Sequence, residues 1–589
     1  MRFWLKLLPA LGFFAPLLTG AVSRQVICPE LMIQGAKSIS LSETERYLLC
    51  GDPGTEEPFQ TAWKVVPRAQ AEFFLRRFLE NRGFYYPRFE VSASGGLLAD
   101  PGPLTRLREI AISGAPEDLE FERRREVIGR PLTPELLDEI EQWITQRLQG
   151  IGYPCPQLET AADVESGRLS VSVQPGDFRT FGGILEESVP GIRDNTLRRF
   201  DAFRFSDPFN ADYLRLTAER TMSEGTLLST HFETICRPPD THHSARQSTV
   251  PGLPHVLRFG FGANTEGLVL ARASWQNTRL GQGASIFDVA AFASTKEQSI
   301  NTSFSWFFNP RSPRYYLKPY FELRHRNEEP FETVSVRYQL APGTTWDGRK
   351  QGLRIEAGPA WDLIKTLRGI GPQTSRFLSL ETRTIFQSHY FEFHRASPRS
   401  GFYSEATLSL NDQNFLSDVT AQRLNWEGEL LWNWRNYYPP LLIGGVRWDF
   451  RTTITQERLS GTSLLPSSFR HFLGGLADHR GFGRNELPDS DQGALSLAYL
   501  GFEVRLANQF PIALEPLFLL DVGMLGRSPV SLRPPLYWSP GAGVRWETPF
   551  GALRATLAHG YLTSDETISQ RTRDRLSHWQ FYFSFGEEF

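Results

Sequence analysis

Leu442 to Thr452 reads LIGGVRWDFRT, and its second half settles what kind of fold this is. Val446, Trp448 and Phe450 fall on one face of an extended chain, while Arg447, Asp449 and Arg451 fall on the other. A soluble sheet packed on a core cannot place three successive charged residues on its inner face. A membrane barrel can, with a wet lumen on the charged side and lipid on the apolar side. The same period of two begins at His255, where Leu257, Phe259 and Phe261 alternate with Arg258, Gly260 and Gly262. From there to Phe589, eleven such segments precede the loop containing Phe472 to Phe482 and five follow it. Sixteen is an even number, as bacterial outer-membrane barrels usually require. The 335 residues from His255 to Phe589 leave about 21 for each strand and its connection, which suits tilted strands of about ten residues.

The loop itself, Phe472 to Phe482, reads FLGGLADHRGF. Gly474, Gly475, Gly481 and Gly483 allow tight turns and close packing around one guanidinium, Arg480. An arginine cannot shed its proton, so away from water it must find carboxylates or carbonyls. The expectation is a loop folded into the lumen and pinned there by Arg480. Trp432, Trp434, Tyr437 and Tyr438 crowd one strand end, as an interfacial girdle does. The last segment, His578 to Phe589, sets Trp579, Phe581, Phe583 and Phe585 on one face and ends on Phe589, the form of an outer-membrane insertion signal. Gly586 weakens this strand, and Gly260 and Gly262 weaken the first, so the ladder that closes the barrel should be its poorest. The seam residues expected there are Phe259, Gly260, Gly262 and Gly586.

The amino-terminal part is of another kind. Arg2 and Lys6 precede an apolar run, Leu7 to Leu18, and small residues follow, so 1–23 read as a signal peptide. Beyond it no apolar run is long enough to span as a helix, which leaves the barrel as the membrane structure. Mean hydropathy of −0.32 is compatible with this, because barrel strands are apolar on one face only. A net charge of −3 gives no sign of a nucleic-acid partner.

Residues 24–254 read as three successive small α/β modules, at 24–105, 106–176 and 177–254, the last including a linker. In the middle one, Arg108 to Ser113 is a strand and Glu117 to Ile128 a helix. Thr133 caps a second helix with Pro134 at its first position and Leu136, Leu137, Ile140, Ile144 and Leu148 on one face. Strands follow near Pro156 to Ala161 and Arg168 to Gln174, giving a βααββ order. The first module repeats it: a strand over Val26 to Gln34, a helix over Ser42 to Leu49, and a second helix over Pro67 to Asn81 whose buried stripe is Phe73, Phe74, Phe78 and Leu79. Two strands then pair. In the third, both strands after the Ala211 to Met222 helix are expected within Leu227 to Cys236. A small sheet under two helices leaves an open edge, to which an extended peptide can add as a strand.

Cys28, Cys50, Cys155 and Cys236 allow three pairings that sequence does not resolve, and the expectation is Cys28–Cys50 with Cys155–Cys236. Adjacent histidines point apart, so Cys236 with His242 and His243 is not read as a metal set. No GxSxG, HExxH, phosphate-binding loop or paired CxxC stands in the chain. The reading is therefore of a protein that is not an enzyme and needs no cofactor or metal.

Taken together, the chain resembles the outer-membrane assembly factors of the BamA/TamA superfamily. The modules resemble polypeptide-transport-associated (POTRA) domains, and three of them before a sixteen-strand barrel is nearer TamA than BamA. Phe259 to Gly267 (FGFGANTEG), Arg272, Trp275 and Leu280 to Gly283 (LGQG) resemble the TamA barrel entry. Arg480-Gly481-Phe482 stands where the family carries its (V/I)RG(F/Y) loop, with His479 as a departure from the usual β-branched residue. The resemblance implies that Arg480 reaches carboxylates on the inner wall, for which Glu503 and Asp521 are the matching candidates. It implies insertion or secretion of unfolded β-barrel or autotransporter clients at the outer membrane of a Gram-negative bacterium, with periplasmic modules and a TamB-like periplasmic partner. Phospholipid delivery to the outer membrane and a two-partner secretion pore are the competing functions.

Overall fold

The computed structural model describes residues 24–28, 31–34, 42, 44–45, 68–93, 96–116, 127–223, 225–236, 243–308, 314–348, 350–393, 399–434, 442–488, 490–510, 513–548, 551–563 and 570–586. The expected signal peptide, Cys50, the side chain of Cys28, most of the first helix in modules one and two, Tyr437, Tyr438 and Phe589 lie outside these residues. The chain divides into two compact units: 1–147 with 156–175, and 148–155 with 176–589.

The first unit contains two small sheets. One runs β1 (Arg24–Cys28), β2 (Leu31–Gln34), β4 (Leu97–Asp100), β3 (Arg88–Val91). The expected single strand over Val26 to Gln34 is thus two short antiparallel strands, Arg24–Cys28 and Leu31–Gln34, paired with each other. Helix α1 (Arg68–Glu80) buries Leu75, Phe78 and Leu79 against this sheet. Phe73 and Phe74, expected in that stripe, are exposed. The i, i+3, i+4 face is fixed by Leu75, Phe78 and Leu79, and the two preceding aromatics rotate off it. The other sheet runs β5 (Glu109–Ser113), β7 (Arg168–Gln174), β6 (Gln157–Asp163), under α2 (Pro134–Gly150), whose first turn is capped by Thr133 Oγ1 accepting from the Leu136 amide at 3.2 Å.

The second unit begins with a sheet ordered β8 (Gly183–Glu186), β10 (His243–Pro251), β9 (Leu227–Thr234), packed on α3 (Ala211–Ser223). Only one of the two strands expected within Leu227 to Cys236 is there. The other is β10, in the stretch read as linker. Its sequence, HSARQSTVP, has no apolar alternation. What it turns inward is Ala245 and Gln247, the latter accepting from Arg198 Nη2 and donating to Thr230 Oγ1. Cys155 and Cys236 form a disulfide in this unit.

After this sheet comes a closed antiparallel barrel. Its strands are β11 (His255–Asn264), β12 (Leu268–Leu280), β13 (Ser285–Ala293), β14 (Glu297–Phe307), β15 (Arg314–Asn327), β16 (Glu332–Asp347), β17 (Gln351–Arg368), β18 (Thr374–Ser388), β19 (Gly401–Asn411), β20 (Ala421–Asn433) and β21 (Leu442–Thr455). After a long loop follow β22 (Ser496–Leu506), β23 (Leu514–Ser528), β24 (Ser531–Thr548), β25 (Gly551–His559) and β27 (Trp579–Gly586). A two-residue β26 (Tyr561–Leu562) continues β25 past Gly560, so the wall has sixteen strands, eleven before the loop and five after it. Alternation does what the sequence requires. Phe502, Phe518, Leu520, Leu557 and Trp426 project outward, while Arg337, Asp362, Glu381, Arg383 and Glu405 pair inside.

The α3 sheet is fastened to one end of the barrel. Arg220 of α3 grips Glu392, in the short helix α4 (His389–Phe393), with Nε and Nη2 both at 2.6 Å, and reaches Asp347 at 3.1 Å. Arg199 donates to the carbonyls of Gly283 and Ala284 in the β12–β13 turn, both at 2.6 Å.

Candidate functional site: the lumen loop and the seam

The loop between β21 and β22 enters the barrel from the end opposite α3. Its hydrophobic side chains do the filling: Leu465, Phe469 and Leu495 pack on lumen-facing Ile364 and Phe377, and Leu473, Phe482 and Leu487 pack on Leu497, Tyr499, Leu525 and Tyr537. Arg480, buried in this mass, makes four charge-assisted bonds. Nε and Nη2 form a fork on Asp521 Oδ2 and Oδ1, each 2.9 Å; Nη1 reaches Glu503 Oε2 at 2.6 Å; and its own amide donates to Asp521 Oδ2 at 3.0 Å. Tyr499 Oη adds a bond to Asp521 Oδ1 at 2.9 Å, and Arg505 Nε one to Glu503 Oε1 at 2.6 Å. Asp521 is fully buried and Arg480 is 4 % exposed, so the pair is removed from water with its bonding capacity nearly filled.

The residues around Arg480 explain why the loop fits. A β-carbon on Gly481 would stand 2.3 Å from the Ser539 β-carbon and 3.0 Å from the Cα of Gly560, so two glycines let loop and wall backbones touch. His479 fills the place of an apolar residue. Its ring packs on Phe482 and Tyr499 at 4.9 and 6.2 Å, and Nδ1 lies 3.1 Å from Ser539 Oγ. The carbonyl of Phe482 accepts from Tyr582 Oη at 2.6 Å.

Sequence reasoning missed a second anchor. Arg484, one turn of loop beyond Arg480, forks onto Glu328 in the β15–β16 turn at 2.9 and 2.7 Å and reaches Glu266 in the β11–β12 turn at 3.2 Å. Glu266 also accepts from the Leu476 amide at 2.6 Å. The signal was the second arginine in RGFGR; its partners sit in turns, where alternation gives no facing to read.

The seam lies on the same loop's flank. Among the described residues three pairs join β11 and β27: Gly262 with Gly586, Ala263 with Phe585, and Asn264 with Ser584; beyond them the Thr265 amide donates to the Phe583 carbonyl at 3.0 Å. The neighbouring ladders have ten pairs (β11–β12) and seven (β25–β27). Gly586 is left-handed at φ +98°, and a β-carbon on it would lie 2.6 Å from the Phe261 carbonyl oxygen. Phe259 and Gly260 stand on β11 before the paired stretch, with no β27 partner among the described residues. Trp579, Phe581 and Phe585 project outward from β27.

Residues 394–589 match the Omp85 superfamily domain, a span that takes in the loop, Arg480 with both carboxylates, and the β27 side of the seam. That match covers the carboxy-terminal third of the chain. Solved structures similar to this chain include BamA from Haemophilus ducreyi lacking POTRA domains 1–3 (13 % identity, 82 % of this chain and 100 % of that one, TM-score 0.48). CdiB from Acinetobacter baumannii (12 %, 82 % and 90 %, 0.44) and CdiB from Escherichia coli (13 %, 89 % and 97 %, 0.43) are also similar. No curated protein sequence matches it.

Proposed function

We propose that this barrel inserts or secretes β-rich clients at the outer membrane, with its amino-terminal modules in the periplasm guiding them and the β11–β27 seam opening to admit them. The observation that carries the reading is the seam: among the described residues three pairs close a wall whose adjacent ladders have seven and ten, and Gly262 and Gly586 face each other there. Once the seam opens, the β11 edge offers backbone groups that an incoming strand can pair with. No nucleotide-binding loop stands in the chain, so client folding itself supplies the driving force. The resemblance to TamA adds autotransporter clients and a TamB-like partner to this reading; phospholipid as cargo and a two-partner secretion pore remain its rivals.

A disulfide between Ala263→Cys and Phe585→Cys, directly paired positions, tests it. The oxidised protein should lose client assembly and regain it on reduction. Full activity of the locked barrel would exclude seam opening. Depletion in the host then separates the cargoes: loss of β-barrel proteins supports assembly, while an unchanged barrel proteome with altered lipid distribution supports lipid delivery.

A further inference from the structure

At the α3 end of the barrel three cross-strand neighbours form a row on the lumen face. Arg314 of β15 pairs with Thr345 of β16, and Thr345 pairs with Arg354 of β17. All three line one cavity of about 530 Å³, which Arg220, Arg383, Asp347 and Glu392 also border. The protein leaves both arginines of the row short of partners. Arg314 is 7 % exposed, yet its Nε has no hydrogen-bond partner among the described residues. Its Nη2 stands 3.8 Å from Asp347 Oδ2, beyond hydrogen-bonding reach, and Asp347 Oδ1 is held by Arg220 at 3.1 Å. Its guanidinium carbon lies 6.0 Å from the Phe200 ring centroid, at the limit of a cation–π contact. Arg354 forms no ion pair or hydrogen bond among the described residues. Glu356, two residues on along the same face, accepts from Tyr316 Oη at 2.7 Å and lies 3.8 Å from Lys318. Arg383 is matched by Glu405 at 2.7 and 2.9 Å. Among the described residues bordering the cavity, the three guanidiniums of Arg220, Arg314 and Arg354 thus face the two carboxylates of Asp347 and Glu392, and none of the three can shed its proton.

We propose that Arg314, Thr345 and Arg354 form a binding site for one free oxyanion of the phosphate class. Neighbouring strands lie about 4.8 Å apart, so the two arginines flank the threonine with their backbones about 10 Å from each other, and both forks reach an anion seated above its hydroxyl. A phosphate has oxygens enough to accept from two guanidinium forks and a hydroxyl together. A carboxylate has two oxygens, which a single fork already fills, so it matches the row less well. The surplus positive charge of the cavity favours the anion without a new protein contact. A lipid phosphate is a poor occupant. Its acyl chains would have to lie among the charged side chains of the lumen or pass between strands that are paired at these very residues.

The experiment is isothermal titration calorimetry of the full chain in micelles of an uncharged detergent, with inorganic phosphate as the probe and chloride holding the ionic strength constant. The expected result is binding that saturates at one phosphate per chain and is competed by sulfate. Arg354→Gln breaks no bond within the described residues and should weaken phosphate by about tenfold or more. Thr345→Val keeps the shape without the hydroxyl and should weaken it severalfold. Arg533→Gln removes the same charge from an exposed position on β24 and should leave it unchanged. Heat-modifiability shows that each variant is folded. Anionic phospholipid added to the micelles should not displace the phosphate, and displacement would overturn the assignment to a free anion. Heat that never saturates, or equal weakening in Arg354→Gln and Arg533→Gln, would show only a general attraction of charge and overturn the site.

Discussion

The Arg480 anchor and the β11–β27 seam lie within one barrel and are built on opposite terms. At the anchor a single side chain and its amide make four charge-assisted bonds out of reach of water. At the seam two strands share three residue pairs among the described residues and meet at glycines. The wall is thus held more firmly through its plug than along its closure. A ladder with few pairs is inexpensive to open, whereas a buried ion pair is costly to leave half-made, because the abandoned carboxylate stays in a dry site.

That contrast can be broken at several points. Arg480→Ala should have the largest effect, about 3–5 kcal/mol, since it strands Asp521 and Glu503. Heat-modifiability and denaturant unfolding of the barrel report it, and a variant as stable as the parent would remove the anchor from the argument. Arg480→Lys keeps the charge but not the fork, and should recover only part of the loss. Gly481→Ala should cost about 1–3 kcal/mol through overpacking against Ser539 and Gly560, with the ion pair intact. Gly586→Ala should cost about 1 kcal/mol or less overall. It should nonetheless reduce disulfide formation between Ala263→Cys and Phe585→Cys severalfold, because its β-carbon would meet the Phe261 carbonyl; unchanged cross-linking would mean the seam is not set by this contact.

The smallest effect belongs to an exposed counterpart of the anchor. Arg82 Nη2 holds both oxygens of Glu45 at 2.9 and 2.7 Å in the first unit, but near solvent. Arg82→Ala should therefore cost no more than about 1 kcal/mol. The Arg82 guanidinium brings the Glu45 carboxyl down from 4.5 to about 2. A carboxyl with a depressed folded-state pKa stabilises above its unfolded value, so this contribution is complete above pH 4.5 and fades as pH falls towards 2. Acid titration of the parent and Arg82→Ala should converge at the low end of that window.

What the sequence disclosed follows the physics of alternation. Val446 to Arg451 reveal their facing because lipid and water impose opposite demands on successive residues, and the same parity put Glu503 and Asp521 on the lumen side where Arg480 meets them. Strand β10 stayed hidden because it turns Ala245 and Gln247 inward, so its core side carries no hydrophobic signal. Phe73 and Phe74 misled because helical facing is fixed by the best-spaced apolar set, which here excludes them. Gly560, Glu266 and Glu328 were invisible for a different reason. Each matters only through a partner more than 70 residues away.

The β16–β17 ladder breaks between Gln339–Ala360 and Gly343–Glu356, where Pro342 and Pro359 have no amide hydrogen, although thirteen pairs join the two strands. That break and the seam mark off two panels of wall, one from β11 to β16 and one from β17 to β27. The loop is riveted to both. Arg480 holds the larger panel at β22 and β23; Arg484, four residues on, holds the smaller one at its β11–β12 and β15–β16 turns. Swinging the panels apart must pull out one rivet, and Arg484, with a side chain 34 % exposed against 5 % for Arg480, is the one that water can reach.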